Sequence, residues 1–411
     1  MQEAAQHPQA GVLTAIINSR IFDGDRAIDD RIVVIDGARI RAIGGEVPTG
    51  AIVINAHGAT LMPGLIDAHV HTDIDGLREA LLFGVTTELE MMGYWTAQER
   101  KEVAERDDIA DVRSPGMGIT PPGGHPTEYM PNSDDERMRH YAFPFVSTPK
   151  EAAKHVASLV AEGADYIKIF MEDGTALGLP GLPILNEETL RAAVREAHRY
   201  GKMAIAHATT AATALQVITA GVDGLAHIFV DPPRSPELVT AIRDSGAFVT
   251  PCLTLNSSVM GNTAAVLAAD ERVHSRLNEN WIDSLCRSMN TYPQGNLEDI
   301  FEAVVALHRA GVDILAGTDV SEPLPSLGGL AHGASLHHEL QMLGKAGLTP
   351  LEALRAATST PARRFGLNDR GHIANEARAD LLLIDGDPLS KITDTLNIRA
   401  IWRRGTLLTT R

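Results

Sequence analysis

Apolar positions in the middle of the chain follow a repeating unit. In VASLVAEGADYIKIF, LRAAVREAHRYGKMAIAHA, ALQVITAGVDGLAHI, LVTAIRDSGAFVTPCLTL and FEAVVALHRAGVDILAGTD they recur at helical spacing up to a glycine. They then close up into a short, continuously apolar run, as expected of strands covered on both faces. Gly163, Gly201, Gly221, Gly246 and Gly311 stand where a helix end needs a left-handed residue. LREALLFGVTTELEM, with Gly84, is an earlier copy. With the run ending in HVH and a strand near GMGIT, eight strands can be counted. Alternation of this kind predicts parallel βαβ units.

The ends of the chain follow a different pattern. TAIINSRIFDG, RIVVIDGARIRAIG and AIVINAHGATLMPG are β-rich, and Asp36-Gly37 marks a hairpin turn. ADLLLIDGDPL and IRAIWRRGTLL read the same way. The expected fold is α/β: a (β/α)8 TIM barrel over residues 62–361, with a small β-sandwich built from residues 1–61 and 362–411. The first barrel strand is expected to begin near Met62. Residues 120–147, rich in Gly, Pro and polar side chains, predict a long active-site loop, and 256–296 a helical insertion after the seventh strand.

Ligand-type side chains stand where the apolar runs end. They are His69 and His71 in LIDAHVHTD, Lys168 in ADYIKIF, His207 in KMAIAHA, His227 in VDGLAHIF and Asp319 in VDILAGTD. Gathering a site from the carboxyl ends of successive strands is what a barrel does, whereas an open sheet would not bring so many strand ends together. His69 and His71, two apart on a strand, point to one face. Four imidazoles, a carboxylate and an amine suit a pair of divalent metals such as zinc. An ammonium cannot bind a metal, so Lys168 must lose its proton or be converted by carbon dioxide to a carbamate, whose two oxygens can bridge two cations. Asp319 can ligate a metal and take a proton from water, and paired cations lower the pKa of a shared water and polarise a carbonyl.

Composition narrows the class. Of 411 residues, 44% are apolar and 22% charged, enough for a large core and its cover. The balance of 36 basic against 53 acidic residues gives a net charge of −17, which disfavours nucleic acid and anionic membranes as partners. Cys252 and Cys286 are the only cysteines and form no CxxC, so a disulfide scaffold is not expected. No apolar run has the length of a membrane span, and the first residues lack the pattern of a signal peptide. A cytoplasmic homo-oligomer acting on a small molecule is expected, with the periplasm as the alternative location.

These motifs resemble the amidohydrolase superfamily of metal-dependent hydrolases. PGLIDAHVH is similar to its hallmark first-strand segment, and TSTPARRFGL with RADLLLIDGDP to its C-terminal return. The resemblance implies that His69, His71 and Asp319 hold one metal and His207 and His227 the other. An N6-carboxylated Lys168 lies between them, a metal-bridging hydroxide is the nucleophile, and Asp319 is the general base and acid. GGHPTEY and HGASLHHEL resemble segments of the branch of Xaa-Pro dipeptidases, carboxypeptidases and imidazolonepropionase-like proteins. The expected reaction is hydrolysis of a peptide-like or N-acyl amino acid amide. A lactone or ester, a deamination, and a catalytically silent scaffold of the same fold are the alternatives. His125 and Tyr129 on the long loop, Arg234 after the sixth strand and His332 after the eighth are candidates for substrate contact; surface, packing or solvated roles compete at each.

Overall fold

The computed structural model describes residues 12–29, 32–129, 143–231 and 235–408. Its α/β architecture holds two parallel sheets and two sheets of mixed direction. Strands Leu65–Val70, Val85–Glu90 and Asp111–Arg113 form one parallel sheet. Ile167–Phe170, Ala204–His207, Gly224–Ala226 and Phe248–Thr250 form the other. Isolated bridges extend both: Ile119 to Ile169, Val249 to Ile314, and Val70 to Val320. The segment around Ile314 therefore lies between the last strand of one sheet and the first of the other, and Ala68 donates to Ala316 at 2.9 Å.

Helices connect these strands as the periodicity predicts. Gly163, Gly201, Gly221, Gly246 and Gly311 all have positive φ. Gly221 and Gly246 close the helices Ala211–Ala220 and Pro236–Ser245 in the left-handed conformation, where a Cβ would be strained. Thr210 starts the first of these with a capping box, and capping boxes at Thr148 and Thr349 start two other helices. Apart from Arg113 the residues of the parallel strands are buried, and a large apolar core fills the space between them and the helices.

The two ends of the chain share a sheet. Thr60–Pro63 pairs antiparallel with Leu381–Ile384, which pairs in turn with Ile398–Arg403. The expected starting point near Met62 falls in this sheet, where Met62 faces Leu382; the parallel run begins at Leu65. A second sheet joins Thr14–Ile17, Ile32–Asp36, Arg39–Ile43 and Ile52–Asn55; its hairpin turns at Gly37 and Ala38, one residue later than expected, with Asp36 paired to Arg39 and Gly37 at φ 54°. A separate apolar cluster including Ile16, Ile35, Leu381 and Trp402 packs between the two. A buried ion cluster joins this terminal unit to the parallel sheets. Asp111 takes Arg370 and, at 3.0 Å, Arg378, and Arg378 reaches Asp380 at 2.8 Å.

Residues 121–129 of the expected loop carry no regular structure, and its centre lies outside the described residues. After Phe248–Thr250 come short helices, Leu253–Val259, Ala265–Ala268, Glu271–His274 and Glu279–Leu285, as expected of a helical insertion. Among the described residues no helix is long and apolar enough to cross a membrane.

Candidate metal centre

The six ligand-type residues come together at one end of the parallel strands. His207 closes its strand level with Phe170 and Ala226 on the neighbouring strands. Asp319 donates its amide to the His69 carbonyl at 2.7 Å, which brings the segment after Ile314 against the His69 strand. Behind them Asp67, fully buried, accepts from the amides of His69 and Thr318 at 3.2 and 3.1 Å and from the Thr318 hydroxyl at 2.8 Å.

Asp319 is the hub. Its Oδ1 lies 2.9 Å from His69 Nε2 and 3.1 Å from His71 Nε2, and its Oδ2 lies 3.7 Å from His227 Nε2. Ring centroids are 4.6 Å apart for His69 and His227 and 4.5 Å apart for His207 and His227. His69, His71 and Asp319 present ligand atoms within 4.8 Å of one another, and so do His69, His227 and Cys252. Lys168 lines the same cavity, of about 190 Å³, together with His71, His207, His227 and Asp319.

A divalent cation fits this donor set. His69 Nε2, Lys168 Nζ, both ring nitrogens of His227 and Asp319 Oδ1 are buried without a hydrogen-bond partner. His69 Nε2 and Asp319 Oδ1 are close, but without hydrogen-bond geometry. Orphaned polar atoms on this scale are costly unless something else satisfies them. Burial holds the imidazoles neutral, as ligation requires: His69 is lowered to about 4, and His207 and His227 lie well below the ordinary value. Burial would raise the Asp319 carboxyl, but its contacts with the adjoining imidazoles of His69, His227 and His71 outweigh it and keep it well below the usual carboxylate range. Lys168 is lowered to about 8, chiefly by burial, against the opposing pull of Asp319. At that value a useful fraction of the amine is uncharged near neutral pH, the form that carbon dioxide attacks.

His227, Cys252 and Asp319, at or near the ends of three successive runs, have φ of 79°, 51° and 63°. A non-glycine residue pays of order 1–3 kcal/mol to sit there, and such strain concentrates at functional sites.

The substrate candidates separate. His125 lines the ligand cavity, its ring 4.6 Å from that of His207 and its Nδ1 2.5 Å from Glu128 Oε1. Tyr129 lines it too, 5.8 Å from the His125 ring, and burial raises its hydroxyl pKa so that it stays a donor. His332 does not line this cavity. It faces an adjoining chamber and pairs with Glu88 at 3.0 Å. Arg234 lies outside the described residues.

Three residues of the site had escaped the sequence reading. Glu172 accepts from His207 Nε2 at 3.0 Å and from the Thr209 hydroxyl. Cys252 sits behind His69, with Sγ 3.5 Å from Nδ1. Asp67 holds the strand ends together as described. Cys252 was findable, being a ligand-type residue closing the run FVTPC; Glu172 in FMED and Asp67 in LIDAH carry no spacing signature. A larger cavity, of about 650 Å³, lies elsewhere, but its charges pair mainly with one another, as His308 with Glu352 at 3.0 Å and Arg363 with Asp313 at 2.8 Å.

Comparison with known proteins places this arrangement. The model of the amidohydrolase family matches residues 60–408. An uncharacterized protein of Mycobacterium tuberculosis is 24% identical over 345 residues, 80% of each chain. The ochratoxinase of Aspergillus niger is 22% identical over 452 residues, covering 96% of this chain and 86% of its own. Among solved structures, a Xaa-Pro dipeptidase with methionine bound in its active site superposes with a TM-score of 0.72 at 22% identity, over 96% of this chain and 99% of that one. At such identities the structural likeness establishes the fold.

Proposed function

Because this chain belongs to the amidohydrolase family, we propose that it is a binuclear metal-dependent hydrolase of peptide-like or N-acyl amino acid amides. The observation that carries this reading is the convergence of buried ligand atoms without partners at His69, Lys168, His227 and Asp319. We read residues 62–361 as a TIM barrel and residues 1–61 with 362–411 as a composite β-sandwich, supported by the bridges between the parallel sheets and by the pairing of the chain ends.

His69, His71 and Asp319 would hold one divalent cation, zinc by ligand type, and His207 and His227 the other, with N6-carboxylated Lys168 between them. Bound there, the cations would polarise the scissile carbonyl and lower the pKa of water. Asp319 faces the reacting position and serves as general base, then returns the proton to the leaving nitrogen. Tyr129, kept protonated by burial, donates to a substrate oxygen. His125, held by Glu128, orients from the opposite wall. Leu177, Leu255, Val259 and Met289 give the cavity an apolar side for one arm of the substrate. A dipeptidase among the structural neighbours supports an amide rather than an ester.

The test is metal analysis after expression with zinc and bicarbonate, with a screen of dipeptides, N-acyl amino acids, lactones and amino-substituted nucleobases. Two metals per chain and amide cleavage are expected. Less than one metal per chain would favour a silent scaffold, and turnover of lactones or of nucleobases alone would replace the amide reading.

A further inference from the structure

A second chamber of about 580 Å³ adjoins the ligand cavity. His71, Met92, Ser321 and Glu322 line both. Carboxylates stand around it, from Asp73, Asp75, Glu79, Glu90, Glu99 and Glu322, and its described lining has no lysine or arginine. Trp95 and Trp281 add aromatic surface.

Glu90 decides what the chamber is for. It is 1% exposed, and its Oε2 has no hydrogen-bond partner. The cation that acts on it, Arg100, is committed to Asp165 at 3.1 Å and to the carbonyls of Trp95 and Gly163. Burial, only partly offset by Ser114 and Arg100, lifts the Glu90 pKa to about 8. Oε2 of Glu79 is buried and unpartnered as well, while Asn278 donates to its Oε1 at 3.3 Å. His332 pairs with Glu88 at 3.0 Å, and although its charge also acts on Glu79, burial still lifts the Glu79 pKa to about 7. A buried carboxyl left open in this way holds a proton near neutral pH, and a cation entering beside it would take that proton's place.

The space is kept clear by glycines with no backbone reason to be there. Gly76 and Gly93 are absent from the positive-φ positions. A Cβ on Gly93 would collide with Glu90 Oε1, and one on Gly76 would lie 2.8 Å from His332 Nε2. Gly76 sits inside the helix Ile74–Leu82, where alanine would be the better helix former.

We propose that this chamber is a cation-binding subsite, taking an ammonium or guanidinium group on one arm of the substrate while the scissile bond lies at Asp319. The second half rests on the hydrolase reading; the first does not. Carboxylates combined with indole faces suit an organic cation better than a hydrated metal ion.

The test uses n-butylammonium and its neutral counterpart 1-butanol as probes, followed by calorimetry and tryptophan fluorescence on the full chain. Saturable binding of the ammonium alone is expected, weakened at least about tenfold in Glu90→Gln. Gly76→Ala, whose Cβ would press on Thr72 Oγ1 at 2.6 Å and His332 Nε2 at 2.8 Å, should weaken it similarly by pushing those side chains into the chamber, with a melting curve to check that the fold is kept. Equal binding of both probes, or undiminished binding in both variants, would overturn the proposal. A second arm compares amide substrates whose side arm ends in an ammonium or in a methyl group. At least tenfold higher kcat/KM is expected for the ammonium, with the preference lost in Glu90→Gln. Cation binding without cleavage of any amide would sink the hydrolase reading and leave the subsite standing. Cleavage with no cation preference and no ammonium binding would do the reverse.

Discussion

His207 donates its Nε2 proton to Glu172 at 3.0 Å, which leaves only Nδ1 of that ring for the cavity. The hydroxyl of Thr209 donates to the same carboxylate oxygen, and the Gly174 amide reaches the other at 2.6 Å. Glu172 thus selects a tautomer and a ring orientation before any cation arrives. Glu172→Gln keeps the shape and removes the charge. Metal affinity should fall about 10–100-fold, the usual cost of losing such a support, with little change in melting temperature. Competition against a chelator measures it; unaltered affinity would mean that Glu172 only packs.

Lys168 offers a second test. Its side chain is fully buried, and Nζ has no hydrogen-bond partner. Lys168→Ala should bind less than two metals per chain, and added short carboxylic acids should restore part of the metal content and rate, because the site needs a bridging carboxylate rather than the amine. A variant with full metal content and rate would make Lys168 structural.

At Asp319 the expected loss is in turnover. Asp319→Asn keeps the size and one ligand oxygen but removes the base. General acid–base help is worth about 10²–10⁴-fold, and kcat should drop by at least that while KM changes little. The fold should survive, as the backbone contacts of Asp319 to His69 remain. Near-normal turnover with lowered stability would instead mark a loop-capping role.

Glu339 provides a pH signature of stability away from the reaction. It is buried and accepts from the amides of Leu253 and Thr254 at 2.9 and 2.8 Å, capping a helix whose N-cap residue, Cys252, makes no side-chain cap. Burial raises its pKa to about 7 from an ordinary 4.5. A raised carboxyl favours the folded state most below 4.5, and this contribution is lost as pH rises from 4.5 through 7. Relative to Glu339→Gln, the parent protein should lose on the order of 3 kcal/mol across that window. Urea unfolding of both proteins at pH 5 and pH 8 reads the difference, and parallel pH profiles would refute it.

The ligand residues were legible because they interrupt apolar runs with groups that apolar strands do not otherwise carry. The repeat was legible because each helix ends at a glycine the backbone requires, as at Gly221. The supports were not. Glu172 acts through a ring 35 residues later, and Asp67 through Thr318, 251 residues away. Nothing in their local spacing says so. Glu88 and Glu90 stood in plain view in VTTELE, but a strand whose alternate residues point inward reads as half-exposed until its neighbours on both faces are known. His332 was legible as a residue near the site, but only the fold shows that it pairs with Glu88 and lines the adjoining chamber.

The hydroxyl of Thr60 donates to the carbonyl of Gly386, 326 residues further on, within the sheet that unites the two ends of the chain. On a ribosome adding about 5–20 residues per second, the strand Thr60–Pro63 emerges long before its partner Leu381–Ile384 exists. For tens of seconds the nascent chain carries an apolar strand with an open edge, until Leu381–Ile384 has been made. Synthesis of this protein therefore includes an obligatory waiting period, in which a chaperone or sheer dilution must stand in for residues not yet made.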